Sequence, residues 1–124
     1  MEMTRCMIVD GSSVVRKVAK RILTAPLEHV YEAETGVAAL AAIRGEGPDL
    51  VIVDSQLPDM DVVEFVTKLR ATSQIKQPVI LVMMTELDLV VMMKAKRAGA
   101  NDYLLKPFDR EQLIQRVQEF GEAA

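Results

Sequence analysis

Four polar residues of complementary chemistry stand at the ends of short apolar segments. Asp10 and Asp54 end the segments MIVD and DLVIVD, Thr85 follows PVILVMM, and Lys106 follows DYLL. Two carboxylates, a hydroxyl and an ammonium suit phosphoryl transfer, because an aspartate can be the nucleophile while the other groups bind the charged phosphoryl oxygens. Mg²⁺ is the usual companion of such carboxylates. This chemistry requires that the four side chains meet.

The apolar pattern predicts elements that bring these four residues together. Short apolar strands alternate with amphipathic helices five times, which predicts an α/β fold: a doubly wound, flavodoxin-like parallel sheet of order 2-1-3-4-5. Ligands bind such sheets beyond the carboxyl ends of the strands, where the strand order reverses. We expect strands near 5–10, 28–33, 49–54, 78–84 and 101–105, and helices near 12–24, 35–45, 62–72, 86–98 and 109–120.

Composition favours one globular domain over residues 1–124. Half of the residues are apolar, 27% are charged, and the net charge of −3 argues against a nucleic-acid surface. The apolar runs are too short to span a membrane, and the N-terminus lacks a signal-peptide pattern. Cys6 is the one cysteine, which excludes a disulfide framework and favours a buried apolar role. We therefore expect a cytoplasmic protein.

The strand-end motifs resemble those of the receiver domain of two-component response regulators, and the chain is similar in length to single-domain, CheY-like members. The matching stretches are MIVDGSSVVRK, PDLVIVDSQLPDMD, VMMTELD and AGANDYLLKPFD, from the first strand to the last helix. The resemblance implies a phosphoacceptor without enzymatic activity beyond self-dephosphorylation. A histidine kinase or phosphotransfer protein would donate the phosphoryl group, and downstream protein partners would respond to it.

The resemblance also implies a role for each matching residue. Asp54 would accept the phosphoryl group, Thr85 would bind a phosphate oxygen, and Lys106 would pair with both Asp54 and the phosphate. Tyr103 matches an aromatic residue that changes rotamer when the threonine moves toward the phosphate. The Lys106–Pro107 peptide bond is expected to be cis.

Gly11 is the main departure from the family pattern. Asp10, Asp54 and the backbone carbonyl of Gln56 would hold Mg²⁺, but the family has a second acid where this chain has Gly11. One carboxylate at ~4 Å is worth at most about 4 kcal/mol at an effective dielectric constant near 20, and less after solvent competes. We expect Mg²⁺ affinity about one to two orders of magnitude lower, and a stronger hold of Lys106 on Asp54.

Two smaller departures support a second interpretation. Glu86 follows Thr85 where a small residue is common, and would either repel an incoming phosphate or replace part of the lost charge. Val62 stands where glycine is usual, which predicts a differently shaped loop. Together with Gly11, these residues favour the alternative of a pseudo-receiver, an interaction module with weak or no Mg²⁺-dependent phosphorylation.

An enzyme of the same fold is a third class. A flavodoxin-like carrier would place a phosphate at GSS, residues 11–13, but the chain has no tryptophan and only Tyr31 and Tyr103 to sandwich a flavin. An aspartyl phosphatase needs a second acid two residues after its nucleophile, and Gln56 stands there.

Two helical surfaces are candidates for partner binding. The run LVVMM, residues 89–93, cannot be buried on one helix face. If Leu87 and Val91 face the sheet with two later alanines, Leu89 and Met93 are exposed, and the helix 4–strand 5–helix 5 face is the output or homodimer surface. A register that buries more of the run is the alternative. Basic residues of the first helix form either a solvated face or a dock for an acidic partner: Arg16, Lys17, Lys20 and Arg21.

Overall fold

The computed structural model describes residues 2–43, 47–72 and 76–123 and confirms the predicted α/β fold. Five parallel strands form one sheet in the order β2-β1-β3-β4-β5. Both ends of each strand lie within one residue of their predicted positions. The strands are β1 (Arg5–Val9), β2 (His29–Ala33), β3 (Leu50–Asp54), β4 (Val79–Met84) and β5 (Asp102–Leu105).

One helix follows each strand. The predicted start of the fourth helix at residue 86 is wrong, because Asp88 caps that helix by accepting hydrogen bonds from the N–H groups of Val90 and Val91. The second helix was predicted to run to residue 45, but it ends at Ala42 with Ile43 as its cap, and residues 44 and 45 lie outside the described residues. The helices are α1 (Ser13–Thr24), α2 (Gly36–Ala42), α3 (Val62–Arg70), α4 (Leu89–Ala98) and α5 (Arg110–Gln118).

The three central strands, β1, β3 and β4, are buried on both faces, as their continuous apolar runs predict, whereas the edge strands β2 and β5 are partly exposed. Alternate residues of β1 belong to different cores: Val9 packs in the cluster under α2, α3 and α4, whereas Ile8 packs in the cluster under α1 and α5. Cys6 is fully buried in the second cluster, and that burial, with the charge of Asp49 as a lesser cause, raises the pKa of its thiol. None of the helices in the described ranges is both long and apolar enough to cross a bilayer.

A second, two-stranded sheet joins the chain ends and was not predicted. Glu2–Met3 pairs in parallel with Glu122–Ala123, and Met3 is fully buried in the cluster under α1 and α5. A two-residue strand carries too little periodicity to be recognised in a sequence.

The inner face of α4 differs from the predicted one at Leu87 and Met92. Leu89 and Met93 are exposed, at 66% and 55%, as predicted. Leu87 does not face the sheet: it precedes the helix and is 43% exposed. Met92 is buried against the core instead. Beginning the helix at Leu89 places Met92 and Ala95, three residues apart, on its inner face.

Candidate functional site

Strand register brings three of the four predicted residues to one edge of the sheet. Val9 pairs with Val53, so the next residues along the two strands, Asp10 and Asp54, lie side by side. Lys106 continues β5 and donates its backbone N–H to the carbonyl of Met84 at 2.9 Å. Its Nζ lies 3.0 Å from Asp10 Oδ2 and 3.4 Å from Asp54 Oδ1. The Lys106–Pro107 bond is cis, as predicted.

Asp10 is both a turn residue and a member of this charged site. Its side chain is almost completely buried, and Oδ1 accepts a hydrogen bond from the Ser12 N–H at 2.8 Å. Ser12 in turn caps α1 through its hydroxyl. Oδ2 binds the Lys106 ammonium. One carboxylate therefore shapes the turn with one oxygen and holds the cation with the other.

Asp54 ends β3 with one side-chain oxygen held and one open. Oδ1 accepts the Gln56 N–H at 3.2 Å and faces Lys106. Oδ2 makes no hydrogen bond or ion pair with any residue in the described ranges. The side chain is 14% exposed, which leaves a narrow access from solvent.

The sequence predicts that Lys106 binds Asp54 more strongly because the second acid is missing. In the structure the Lys106 ammonium contacts both acids and lies nearer to Asp10 than to Asp54. With glycine at residue 11, Asp10 and Asp54 share one ammonium, and the three side chains carry a formal charge of −1 between them. A buried carboxylate needs a paired cation, and Asp10 is the more buried of the two. The shorter contact at Asp10 follows from that burial.

The oxygen donors at this edge fit Mg²⁺ in kind. Mg²⁺ takes one or two carboxylates, and waters and phosphate oxygens complete its octahedron. Asp10 and Asp54 would supply the carboxylates, and the exposed loop residue Gln56 would supply a backbone carbonyl. Among the described residues no three acidic, histidine or cysteine side chains cluster closely enough to hold a metal, which agrees with the acid missing at residue 11.

Thr85 and Glu86 line an open groove beside the carboxylates. The groove has a volume of about 520 Å³, and Gln56 and the first turn of α4 form its other walls. Both residues are exposed. Glu86 does not join Asp10 and Asp54 in a three-acid group, so this geometry does not support it as a replacement for the missing acid. Glu86 instead places a negative charge on the wall of the groove.

The loop between β3 and α3 is fastened to α2, a connection that sequence reasoning missed. The two carboxylate oxygens of Asp59 accept hydrogen bonds from the N–H groups of Gly36 and Val37, both at 2.8 Å. These bonds lower the pKa of Asp59. A Cβ on Gly36 would lie 2.7 Å from the sulfur of Met60, so a larger residue there would require the Met60 side chain to move. The sequence signal is the glycine that follows the cap Thr35.

Val62 and Asp61 have ordinary structural roles. Asp61 caps α3 by accepting a hydrogen bond from the Val63 N–H. Val62 is the first residue of that helix and is buried in the core. No residue other than glycine has a positive φ in the described ranges, so Val62 needs no glycine-like backbone there.

The basic stretch of α1 is only partly a solvated face. Arg16 is largely buried: Nε lies 3.1 Å from Glu32 Oε1, and Nη1 donates to the Asp10 carbonyl at 2.7 Å. Lys20 also pairs with Glu32, at 3.8 Å. Lys17 and Arg21 are exposed. Arg16 thus supports the end of β1, and the exposed cations are fewer than the sequence predicts.

A family model described as the response regulator receiver domain matches residues 6–118. The chain belongs to this family. The receiver is 33% identical over 118 residues to a chemotaxis protein CheY homologue of Campylobacter jejuni, and the match covers 93% of this chain and 90% of the relative. These values show a CheY-like receiver domain rather than a distant fold match.

Other relatives place the receiver within longer proteins. A protein-glutamate methylesterase/protein-glutamine glutaminase of Trichodesmium erythraeum is 33% identical over 129 residues, and the receiver spans 94% of its own length but only 37% of that protein. Among solved structures, the chemotaxis response regulator CheY4 of Vibrio cholerae superposes with a TM-score of 0.87 at 32% identity, covering 94% of the receiver and 98% of CheY4.

Proposed function

We propose that this receiver is a stand-alone phosphorylation switch that accepts a phosphoryl group on Asp54 from a phosphohistidine of a histidine kinase or phosphotransfer protein. The observation that carries the proposal is Lys106 Nζ, which lies 3.0 Å from Asp10 Oδ2 and 3.4 Å from Asp54 Oδ1 at the carboxyl edge of the sheet. Membership of the receiver family supports the same role. That residues 1–124 act alone, in the cytoplasm, belongs to this proposal.

In the proposed transfer, Asp54 Oδ2 attacks the phosphorus. The P–N bond to the donor histidine breaks, the P–O bond to Asp54 forms, and the histidine leaves with its electron pair and takes a proton. Lys106 remains beside Oδ1 and neutralises charge that the incoming phosphoryl oxygens bring. Thr85 supplies a hydroxyl to one of these oxygens from the wall of the groove.

Mg²⁺, when bound, supplies further neutralisation of the phosphoryl oxygens. Asp10, Asp54 and the Gln56 carbonyl are the groups of this chain proposed to hold it. The two oxygens of Asp10 contact the Ser12 N–H and the Lys106 ammonium, and these contacts fix the orientation of the carboxylate before any metal binds. The absence of an acid at residue 11 supports a weakened site.

The surface proposed to read the switch is the face of α4, β5 and α5. Leu89 of this face lines the groove that contains Thr85, and Met93 lies one helical turn further along α4, so a change at Thr85 would act next to this surface. Leu89 and Met93 are the test positions for binding of a downstream target or of a second copy. Unchanged self-association and unchanged target binding in the double variant Leu89→Ser/Met93→Ser would contradict this part of the proposal.

Intact mass after incubation with a small-molecule phosphodonor tests the phosphoacceptor. We expect a gain of one phosphoryl group that requires Mg²⁺, disappears in Asp54→Asn and needs less Mg²⁺ in Gly11→Asp. Residue 11 has room for the new side chain, since a Cβ there would lie 3.7 Å from the Pro58 ring, an ordinary contact.

The pseudo-receiver is the second candidate, and the two-acid site with its single shared cation favours it. A pseudo-receiver would give no adduct at any Mg²⁺ concentration in the natural sequence but would gain one in Gly11→Asp. That outcome would replace phosphorylation by constitutive binding as the function of this chain.

A further inference from the structure

Arg116 lies over the ring of Tyr103, the residue proposed to change rotamer in the switch. Its guanidinium carbon is 5.1 Å from the centre of the ring, within the range of a cation–π contact. Two carboxylates fix the guanidinium: Nη1 lies 3.0 Å from Glu119 Oε2 and 3.5 Å from Asp102 Oδ2. The cation above the ring is therefore paired with two carboxylates through one nitrogen, Nη1.

The contact crosses the edge of the sheet. Tyr103 packs against the core cluster that contains Met92 and Ala95 of α4. Arg116 belongs to α5, whose buried residues lie in the cluster on the other face. Because β5 is the edge strand, the guanidinium reaches around it to the ring. Arg116 thus links α5 to a residue whose ring packs on the α4 side.

We propose that Arg116 is a positioning residue that holds Tyr103 in the rotamer seen in this structure. A ring that turns away from this rotamer loses the guanidinium, whereas Arg116 keeps both carboxylates. The two rotamers therefore differ by the ring contact, and a contact made in one state alone shifts the population by its own free energy. The inference rests on the proposed function only in taking Tyr103, whose change of rotamer the family resemblance implies, as part of the switch.

The chain offers a direct spectroscopic test, because it has two tyrosines and no tryptophan. In a Tyr31→Phe background, Tyr103 is the sole tyrosine, and NMR of the ¹³C-tyrosine-labelled, unphosphorylated protein measures its χ1 populations. Arg116→Gln should raise the population of the other rotamer about two- to fivefold, the range expected for a partly exposed cation–π contact. Arg116→Lys, which keeps the charge but not the planar group, should restore part of the natural ratio.

Two controls separate the ring contact from general effects of charge. Arg110 is an exposed cation at the start of the same helix and has no ion pair or ring contact within the described part of the chain, so Arg110→Gln should leave the Tyr103 populations unchanged. Glu119→Gln removes an ion pair from Arg116 but not the cation above the ring, and should change them by less than Arg116→Gln does.

A natural rotamer ratio in folded Arg116→Gln would overturn the inference, and so would an equal shift in Arg110→Gln. If Arg116→Gln does not fold, a natural ratio in Arg116→Met, which also removes the cation, overturns it. All these readouts are taken without phosphate, so they stand even if Asp54 cannot be phosphorylated. Failure of the proposed function would instead appear as the missing mass adduct.

Discussion

At the scale of single residues, the site is defined by one cation shared between two acids. Asp10 is nearly completely buried, so the Lys106 ammonium offsets a large desolvation cost there. Asp54 receives a longer contact and keeps one oxygen open. A site with a single missing acid therefore still presents a carboxylate that fits the proposed nucleophile, and we propose that residue 11 sets how tightly it binds Mg²⁺.

Gly11→Asp should make stability more dependent on Mg²⁺. Without metal, a third carboxylate beside Asp10 and Asp54 should lower the free energy of unfolding by about 1 kcal/mol through like-charge repulsion. A Mg²⁺ affinity about 10- to 100-fold higher should add about 1–2 kcal/mol of stabilisation at millimolar Mg²⁺. Urea unfolding with and without Mg²⁺ measures both effects.

Gly11→Ala is the matched control for this substitution. Its Cβ fits beside Pro58, and the backbone at Gly11 is not in the left-handed region, so it adds a side chain without charge or strain. An equal Mg²⁺ response in the alanine and aspartate variants would refute the assignment of residue 11 to the metal site.

At the scale of elements, the two sides of the site are held differently. The β3–α3 loop is tied to α2 by Asp59 and by the close packing of Met60 on Gly36. On the other side, α4 is anchored at its C-terminal end, where Arg70 donates two hydrogen bonds to the Gly99 carbonyl. The first turn of α4 has its own cap at Asp88 and borders the open groove.

Asp59→Ala should loosen the loop that carries Gln56. Removing the carboxylate leaves the N–H groups of Gly36 and Val37 without their partner, so their amide hydrogen exchange should become faster while exchange in β3 stays slow. Asp61→Ala, which removes the cap of α3 two residues away, is the control and should affect Val63 instead. Unchanged exchange at Gly36 and Val37 would contradict the fastening role of Asp59.

Substitution by serine should destabilise the protein at one of two adjacent methionines of α4 and have little effect at the other. Met92 is buried, and Met92→Ser should lower the free energy of unfolding by about 2–4 kcal/mol through loss of apolar packing. Met93 is exposed, and Met93→Ser should change it by less than about 0.5 kcal/mol. Equal losses in urea unfolding would show that the helix has a different register.

At the scale of the whole molecule, a buried carboxylate that pairs with a lysine lies at each end of the sheet. Asp49 lies at the amino end, opposite the candidate site, and is 6% exposed. Burial alone would raise its pKa, but Lys76 at 2.6 Å and hydrogen bonds from Thr4 and Arg5 outweigh that effect and lower the pKa to about 2. Asp49 thus fastens the start of β1 to the start of β3.

Asp49 should make the stability of the protein fall in acid. Its pKa in the folded state is about 2 and its ordinary value is 3.8, so its contribution is complete above pH 3.8 and is lost as the pH falls toward 2. This shift corresponds to about 2 kcal/mol. Asp49→Asn should lower the free energy of unfolding by about that amount at pH 7 and by much less near pH 2, as measured by urea unfolding. A difference that does not depend on pH would contradict this linkage.

The sequence by itself determined the strands and the residues at the carboxyl edge, because these signals are local. The alternation of strands and helices along the chain predicted the order of the sheet. Continuous apolar runs mark buried parallel strands, and the polar residue that ends each run must reach the same edge. The caps at Asp61 and Gly99 are equally local, because each depends on one residue at a helix end.

Tertiary structure alone decided which of these residues contact one another. Lys106 divides its ammonium between two acids according to their burial, which depends on packing from several elements. Asp59 reaches residues 22 and 23 positions away, and Arg116 reaches around a sheet edge to Tyr103. Such contacts join residues that no sequence period relates, and they form because folding brings separate helices and loops to the same strand ends.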